Sequence, residues 1–218
     1  MSHFNNKFDL DNYLKQNTIN YLAGGRKSNI FFMDNTKCLK LFNEAIYNDS
    51  VVKIIQKKNL NGFYEIYDLL YFNNTFIGYI MKYYKDNNID ILTMPVEYTL
   101  DNYNDLYKSI MTLTDKKVFL YDLCNDNAIL TDDKLIVIDV DELIVCKDAD
   151  KYMVQNENMF ALESLFNSIY INARNKYHAD DRININRINN IFCINSPHKV
   201  LKKYKYPIDY LRGGNYDN

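Results

Sequence analysis

Short apolar runs separated by tight turns fill the first third of the chain. Residues 18–42 contain three such runs, with turns at Gly24-Gly25 and Asp34-Asn35. Residues 63–84 contain two more, joined at Asn73-Asn74. Apolar runs of strand length with Gly, Asn or Asp turns between them are typical of antiparallel strands. The pattern therefore predicts a five-stranded antiparallel sheet.

Helical spacing dominates the rest of the chain. Apolar residues recur every three or four positions at 43–58, from about Thr99 to Leu113, and at 156–171. Thr99 can cap the second of these helices, which would place Asp101 near the positive end of the helix dipole. The segments 183–194 and 199–211 have room for one or two short helices. The fold class predicted is α+β.

The stretch from residue 121 to residue 143 carries three residues suited to phosphate chemistry. Asp122 is followed five positions later by Asn127, in the pattern D-L-x-x-x-N. An apolar strand, a polar turn at 131–134 and a second apolar strand then lead to Asp139. A hairpin of this kind returns the chain on itself and brings Asp139 beside Asn127. An amide oxygen and a carboxylate oxygen placed there can share one divalent cation.

This stretch resembles the catalytic loop and the metal-binding aspartate of the protein kinase-like family, which includes compact, atypical bacterial-type kinases and aminoglycoside phosphotransferase-like kinases. The resemblance implies that Asp122 accepts or orients the proton of the attacking hydroxyl. It also implies that Asn127 and Asp139 hold the Mg²⁺ that bridges the phosphates of ATP. Asp141 is either a further metal ligand or a solvated turn residue.

Two upstream features match the phosphate-binding parts of the same family. Lys40 alternates with apolar neighbours in a strand, and the resemblance makes it the lysine that contacts the α- and β-phosphates. The alternative is an edge-strand lysine that guards against aggregation. Gly24 and Gly25, with Ser28 where a third glycine could stand, would let the main chain approach phosphate oxygens. The alternative there is an ordinary hairpin turn.

The last predicted strand resembles the strand that leads into the kinase hinge. By that resemblance Met81 lies at the back of the nucleotide pocket, and Lys82 and Tyr83 offer main-chain groups to the adenine edge. An ordinary apolar strand is equally consistent with these residues.

The chain also departs from the kinase pattern. The helix glutamate that usually pairs with the strand lysine has no clear counterpart, and Gln56 is the nearest polar match by position. Cys124 occupies a position where kinases often carry lysine and small-molecule phosphotransferases often carry histidine. Leu120 and Tyr121 replace the histidine and arginine before the catalytic aspartate. Control through a phosphorylated activation loop is therefore not expected.

Composition fits one globular kinase-like domain. The chain has 218 residues, of which 47% are apolar, enough to bury a core. We expect residues 1–84 to form the small lobe and residues 85–218 a compact large lobe. The formal net charge of -2 argues against general nucleic-acid binding. No segment has the length of a transmembrane helix or the apolar core of a signal peptide, so a cytoplasmic protein is expected, with other export routes left open.

Together these patterns predict an enzyme that binds ATP and Mg²⁺ between two lobes and transfers the γ-phosphoryl group to a hydroxyl. A Ser or Thr hydroxyl of a protein is the first acceptor considered, because the sequence reveals no dedicated small-molecule pocket. The alternatives are a small-molecule kinase acting on an aminoglycoside-like or choline-like substrate, and a pseudokinase that serves as a binding module.

Overall fold

The chain forms two compact units. The first comprises Met1–Lys85 with Val140–Leu143, and the second comprises Asp86–Asp139 with Ile144–Asn218. We call them unit 1 and unit 2. The computed structural model describes residues 1–44, 48–121, 123–140, 143–176, 183, 185–193 and 197–213.

In its described residues, unit 1 is built on a six-stranded sheet with two helices. Its elements are β1 (Ser2–Phe4), α1 (Lys7–Asn17), β2 (Asn20–Gly24), β3 (Ser28–Asp34), β4 (Lys37–Phe42), α2 (Ser50–Lys58), β5 (Ile66–Phe72) and β6 (Thr75–Lys82). The strand order is β1-β5-β6-β4-β3-β2. Strands β2 to β6 are antiparallel to their neighbours, whereas β1 runs parallel to β5. The predicted five-stranded antiparallel sheet is wrong, because the sheet has a sixth strand and is mixed.

The first strand and the first helix have no counterpart in the sequence prediction. Strand β1 has three residues, too few to display an alternating pattern. Helix α1 begins after Asn6, whose side chain accepts a hydrogen bond from the main-chain N–H of Asp9 at 2.9 Å. The helix packs on one face of the sheet, over a buried cluster of Leu39, Leu70 and Ile80.

Aromatic side chains fill another part of the unit 1 core. Tyr79 is fully buried and contacts the rings of Phe42, Tyr64 and Phe76 at centroid distances of 6.0, 5.4 and 6.4 Å. Helix α2 contacts β5 and buries three aliphatic residues. It begins at Ser50, later than the predicted start at residue 43, and residues 45–47 lie outside the described part of the chain.

Asp49 ties the start of α2 to β5. Its carboxylate accepts a hydrogen bond from the Tyr71 hydroxyl at 2.5 Å and pairs with the Lys53 ammonium at 2.6 Å. Burial alone raises the pKa of the Asp49 carboxyl, but the bonds from Lys53 and Tyr71 outweigh it and leave the pKa below its usual value. The ionised carboxylate is therefore the form that stabilises the folded chain.

The sign of the shift gives a pH-dependent prediction. Because the folded pKa is lowered, the stabilisation is fully present above the unfolded pKa of about 3.9 and disappears as the pH falls through the folded pKa. We expect Asp49→Asn to reduce the free energy of unfolding by about 1 kcal/mol near pH 7, with solvent screening of the partly exposed Lys53 already discounted.

Urea unfolding of wild type and Asp49→Asn at about pH 7 and about pH 3 measures this difference. The difference should shrink at the lower pH. Asp101→Asn, an exposed change on a unit 2 helix, is the control. An equal difference at both pH values would contradict a role for the charged carboxylate.

Unit 2 is mainly helical, with two small two-stranded sheets among the residues that the structure describes. Its elements are α3 (Val96–Asp115), β7 (Val118–Phe119), a 3₁₀-helix (Asn125–Asn127), β8 (Ala128–Leu130), β9 (Leu135–Val137), β10 (Ile144–Val145), α4 (Lys151–Lys176), α5 (Ile185–Cys193), α6 (Pro197–Leu201) and α7 (Pro207–Leu211). Strands β8 and β9 form a hairpin, and β10 pairs antiparallel with β7.

The helices of unit 2 differ from the predicted ones at their ends. Helix α3 begins at Val96 after Pro95, so Thr99 lies inside the helix and does not cap it. The fully buried Thr99 hydroxyl instead shares a 2.6 Å hydrogen bond with the Tyr170 hydroxyl of α4. Helix α4 is ten residues longer than predicted, at 26 residues. Three short helices follow it in the described residues, where one or two were expected.

No helix in the described part of the chain is both long and apolar enough to cross a membrane.

Candidate functional site

Lys40 lies in the middle of the unit 1 sheet. Strand β4 is flanked by β3 and β6, where Lys40 is paired with Ile30 and Tyr79 respectively. Only 4% of the Lys40 surface is exposed. An edge-strand lysine that guards against aggregation is therefore excluded. A buried lysine in a central strand is costly unless its ammonium group has a specific partner.

Gly78 sets the approach of β6 to β4 beside Lys40. A Cβ atom at this position would overlap the main-chain oxygen of Lys40 and lie 3.1 Å from the Cα atom of Leu41. Both are main-chain atoms, which cannot rotate away. An isolated glycine within a strand pattern is the sequence signal for such a close approach, and the sequence prediction overlooked it here.

The glycine turn between β2 and β3 is closed by main-chain and side-chain bonds. Gly25 N–H donates to the Ser28 carbonyl at 2.9 Å. Gly24 and Gly25 do not have positive φ values, so the freedom expected of them is not used. A Cβ atom at Gly25 would meet nothing within 4 Å, whereas one at Gly24 would collide with the Tyr21 and Asn29 side chains.

Asn43 holds this turn from the end of β4. Its Nδ2 donates to the carbonyl oxygens of Gly25 and Arg26 at 3.4 and 3.2 Å. Its main-chain N–H donates to the Lys27 carbonyl at 2.9 Å, and its Oδ1 accepts from Asn29 Nδ2 at 2.6 Å. Nothing in the local sequence pattern distinguishes Asn43 from the many other asparagines.

The predicted adenine-binding residues lie at the end of β6. Met81 is buried and Lys82 is exposed. The Lys82 N–H donates to the Glu65 carbonyl at 2.8 Å, and the Tyr83 N–H donates to the Thr36 carbonyl at 2.9 Å. Both N–H groups therefore already donate hydrogen bonds within unit 1. An adenine edge at this point would have to bond to other main-chain groups.

Asn127 and Asp139 lie at the open end of the β8–β9 hairpin in unit 2. The Asn127 N–H donates to the Cys124 carbonyl at 3.1 Å, which closes the 3₁₀-helix. The Asn127 carbonyl accepts from the Ile138 N–H at 2.9 Å, and Asp139 is the next residue. Both side chains are half-buried. The hairpin and its turn at 131–134 are formed as the spacing predicted.

The donor set on this hairpin fits magnesium. Amide and carboxylate oxygens are hard donors, and Mg²⁺ is usually held by one or two carboxylates together with phosphate oxygens and water. Among the described residues, no three His, Cys, Asp or Glu side chains are grouped closely enough to hold a metal without such help. The predicted catalytic Asp122 and the predicted extra ligand Asp141 lie outside the described residues.

Asn158, on α4, anchors the chain just before the predicted catalytic loop. It is fully buried, and its Oδ1 accepts from the Leu120 N–H at 2.9 Å. Its Nδ2 donates to the Val118 carbonyl at 2.8 Å and to the Thr114 hydroxyl at 2.9 Å. The sequence prediction missed this residue. The available signal was a polar residue one turn before Leu162 in the apolar stripe of the helix.

Asn102, on α3, supports the hairpin in a similar way. Its Oδ1 accepts from the Leu135 N–H at 2.6 Å, and its Nδ2 donates to the Tyr98 carbonyl at 2.7 Å. The Tyr98 hydroxyl donates to the Thr131 carbonyl at 3.0 Å. Two buried side chains of one helix therefore fix both the turn and the second strand of the hairpin that carries Asp139.

The fold of this chain is similar to that of a known kinase. No protein family model matches the chain, and no curated protein matches its sequence. The structure is similar to that of PK-1, a kinase of the Cydia pomonella granulovirus, with a TM-score of 0.50 and 14% sequence identity. The similarity covers 64% of this chain and 59% of the viral kinase. The chain therefore has a kinase-like fold, and spans less than two thirds of that kinase.

Proposed function

We propose that this chain is a phosphotransferase that moves the γ-phosphoryl group of ATP onto a hydroxyl group. The observation that carries the proposal is the pairing of Asn127 and Asp139 at the open end of one hairpin, in a chain with a kinase-like fold. The buried Lys40 in the central strand of unit 1 supports it independently. A degenerate binding module has no chemical need for all of these groups.

Each residue has a separate task in this reaction. The acceptor oxygen forms a bond to the γ-phosphorus while the bond from that phosphorus to the β,γ-bridging oxygen breaks, and ADP leaves with the electron pair. Asp122 takes the hydroxyl proton and later releases it to solvent. Lys40 binds the α- and β-phosphates. Asn127 and Asp139 hold Mg²⁺, which when bound neutralises the developing charge on the phosphates.

A Ser or Thr hydroxyl of a protein remains one candidate acceptor. A second candidate is a small molecule, and a specific observation favours it. Unit 2 contains a cavity of about 480 Å³, whereas the preference for a protein acceptor rested on the lack of any sign of such a pocket.

Lys40→Met tests the phosphate-binding half of the proposal. Methionine has nearly the same side-chain volume as lysine and is one atom shorter, because it lacks the terminal ammonium group. We expect phosphoryl transfer to fall by roughly a hundredfold, the usual scale for loss of one charged group that stabilises a transition state. Lys37→Met, an exposed change in the same strand, is the matched control.

The assay follows label from γ-labelled ATP with magnesium, using autophosphorylation and a peptide rich in Ser and Thr. Equal label in wild type and Lys40→Met would contradict the assigned role of Lys40. If wild type transfers no label to protein but binds ATP in a magnesium-dependent manner, the small-molecule acceptor is favoured. If it does not bind nucleotide at all, the chain is a pseudokinase module and the proposal fails.

A further inference from the structure

The cavity in unit 2 is bounded by three separate parts of the chain. One wall is the segment that opens unit 2, which includes Asp90, and another is the 3₁₀-helix and hairpin, which contribute Asn125 and Leu130. The last turns of α4 form the third wall. The Asn87 N–H donates to the Leu130 carbonyl at 3.2 Å, so the first two walls are bonded to each other. The cavity is therefore built into the fold of the unit.

The size and lining of the cavity suit a small polar ligand with an apolar face. Its volume of about 480 Å³ falls within the range of roughly 300–1,000 Å³ typical of small-molecule sites. The half-buried Leu130 supplies an apolar surface. Asn125 and Asn172 add amide groups, each able to donate and to accept hydrogen bonds. Neither amide side chain bonds another side chain within the described residues.

The charges that line the cavity cancel. Asp90 supplies one carboxylate, and one of its oxygens is fixed by the Leu92 N–H at 3.0 Å. Lys176, in the last turn of α4, supplies one ammonium group. A lining with one charge of each sign and several amides offers hydrogen-bond donors and acceptors without a net charge, which suits hydroxyl groups. An apolar wall beside such groups suits the carbon face of a saturated ring.

The cavity also adjoins the predicted catalytic loop. Asn125 lies three residues after Asp122 in the sequence, and three residues of extended chain span at most about 10 Å. Asn127, one of the proposed metal ligands, is two residues further on. A ring held against Asn125 therefore lies beside the loop that carries this proposed ligand.

We infer that the cavity binds a small, polyhydroxylated ring compound, a sugar or a cyclitol, and that one hydroxyl of this compound is the phosphoryl acceptor. The acceptor role rests on the proposed phosphotransferase function, whereas binding to the cavity does not. The bond changes are those of the proposed reaction, with ATP as the donor.

Calorimetric titration without ATP tests the binding step. The probes are glucose, glucosamine, glucuronate and myo-inositol, which share hydroxylated rings and differ in charge. We expect at least one probe to bind wild type, and Asn172→Leu to weaken that binding by about tenfold, the scale of one or two hydrogen bonds. Asn175→Leu, an exposed change on the same helix, should leave binding unchanged. Lys176→Gln provides a second, exposed cavity variant.

The possible results separate this inference from the proposed function. Failure of all four probes to bind, or equal effects of Asn172→Leu and Asn175→Leu, would overturn the polyol site. Label transfer to a Ser- or Thr-containing peptide that is insensitive to Asn172→Leu would overturn the polyol acceptor and leave the phosphotransferase standing. Probe binding that is sensitive to Asn172→Leu, but with no transfer from ATP, would support the polyol site and overturn the phosphotransferase.

Discussion

Asp139→Asn is expected to lower phosphoryl transfer by roughly a thousandfold, because the amide keeps the shape of the side chain but removes the negative charge proposed to hold magnesium. Asp139 follows Ile138, whose N–H is bonded to the Asn127 carbonyl. The change should therefore leave the hairpin formed and remove only the negative charge that this pair of residues offers to the metal. The measurement is the initial rate of transfer from labelled ATP as a function of magnesium concentration.

Asp133→Asn is the matched control for this experiment. It makes the same chemical change at an exposed position in the turn of the same hairpin, where Asp133 accepts a 3.2 Å bond from Thr131 that an asparagine can also accept. The control should retain wild-type transfer and wild-type magnesium dependence. If folded Asp139→Asn protein shows unchanged magnesium-dependent transfer, Asp139 is not a ligand of the metal.

Asn158→Leu is expected to give the largest loss of stability. Leucine has the same branched shape with bulkier methyl groups, and it leaves the Leu120 N–H, the Val118 carbonyl and the Thr114 hydroxyl without their buried partner. Each unsatisfied buried group costs about 1–3 kcal/mol, so we expect the free energy of unfolding to fall by at least about 3 kcal/mol. Denaturant unfolding followed by circular dichroism measures the change.

Asn156→Leu, two residues earlier on the exposed side of α4, is the control for Asn158→Leu and should change stability by less than about 0.5 kcal/mol. Because Asn158 bonds the chain just before the predicted catalytic loop, we also expect slower transfer in any Asn158→Leu protein that remains folded. An unchanged unfolding midpoint would contradict the anchoring role of this side chain.

The features that sequence predicted well are local ones. The hairpin that carries Asp139 is specified by two short apolar strands and a polar turn, all within a dozen residues. The sequence could not predict whether Lys40 is buried. Alternation places the lysine on one face of a strand, but it does not distinguish a central strand from an edge strand. The strand order shows that Lys40 is in a central strand, because β4 lies between β3 and β6.

The features that sequence did not predict depend on residues far apart in the chain. Asn158 is 38 residues from Leu120, and Thr99 is 71 residues from Tyr170. A threonine before an apolar helical pattern suggested an N-cap, but the buried partner on α4 places Thr99 inside the helix. Strand β1 is defined by its pairing with β5. Its three residues have no sequence pattern that predicts a strand.

The parallel addition of β1 beside β5 has a consequence for self-association. Exposed strand edges can template pairing with other chains, and natural sheets avoid this with very short edge strands and with β-bulges. Both devices are present in unit 1. Strand β1, which forms one edge of the sheet, has only three residues. Strand β2 forms the opposite edge, and its register against β3 shifts between Tyr21 and Ala23. Neither edge offers a long, regular strand to a second sheet.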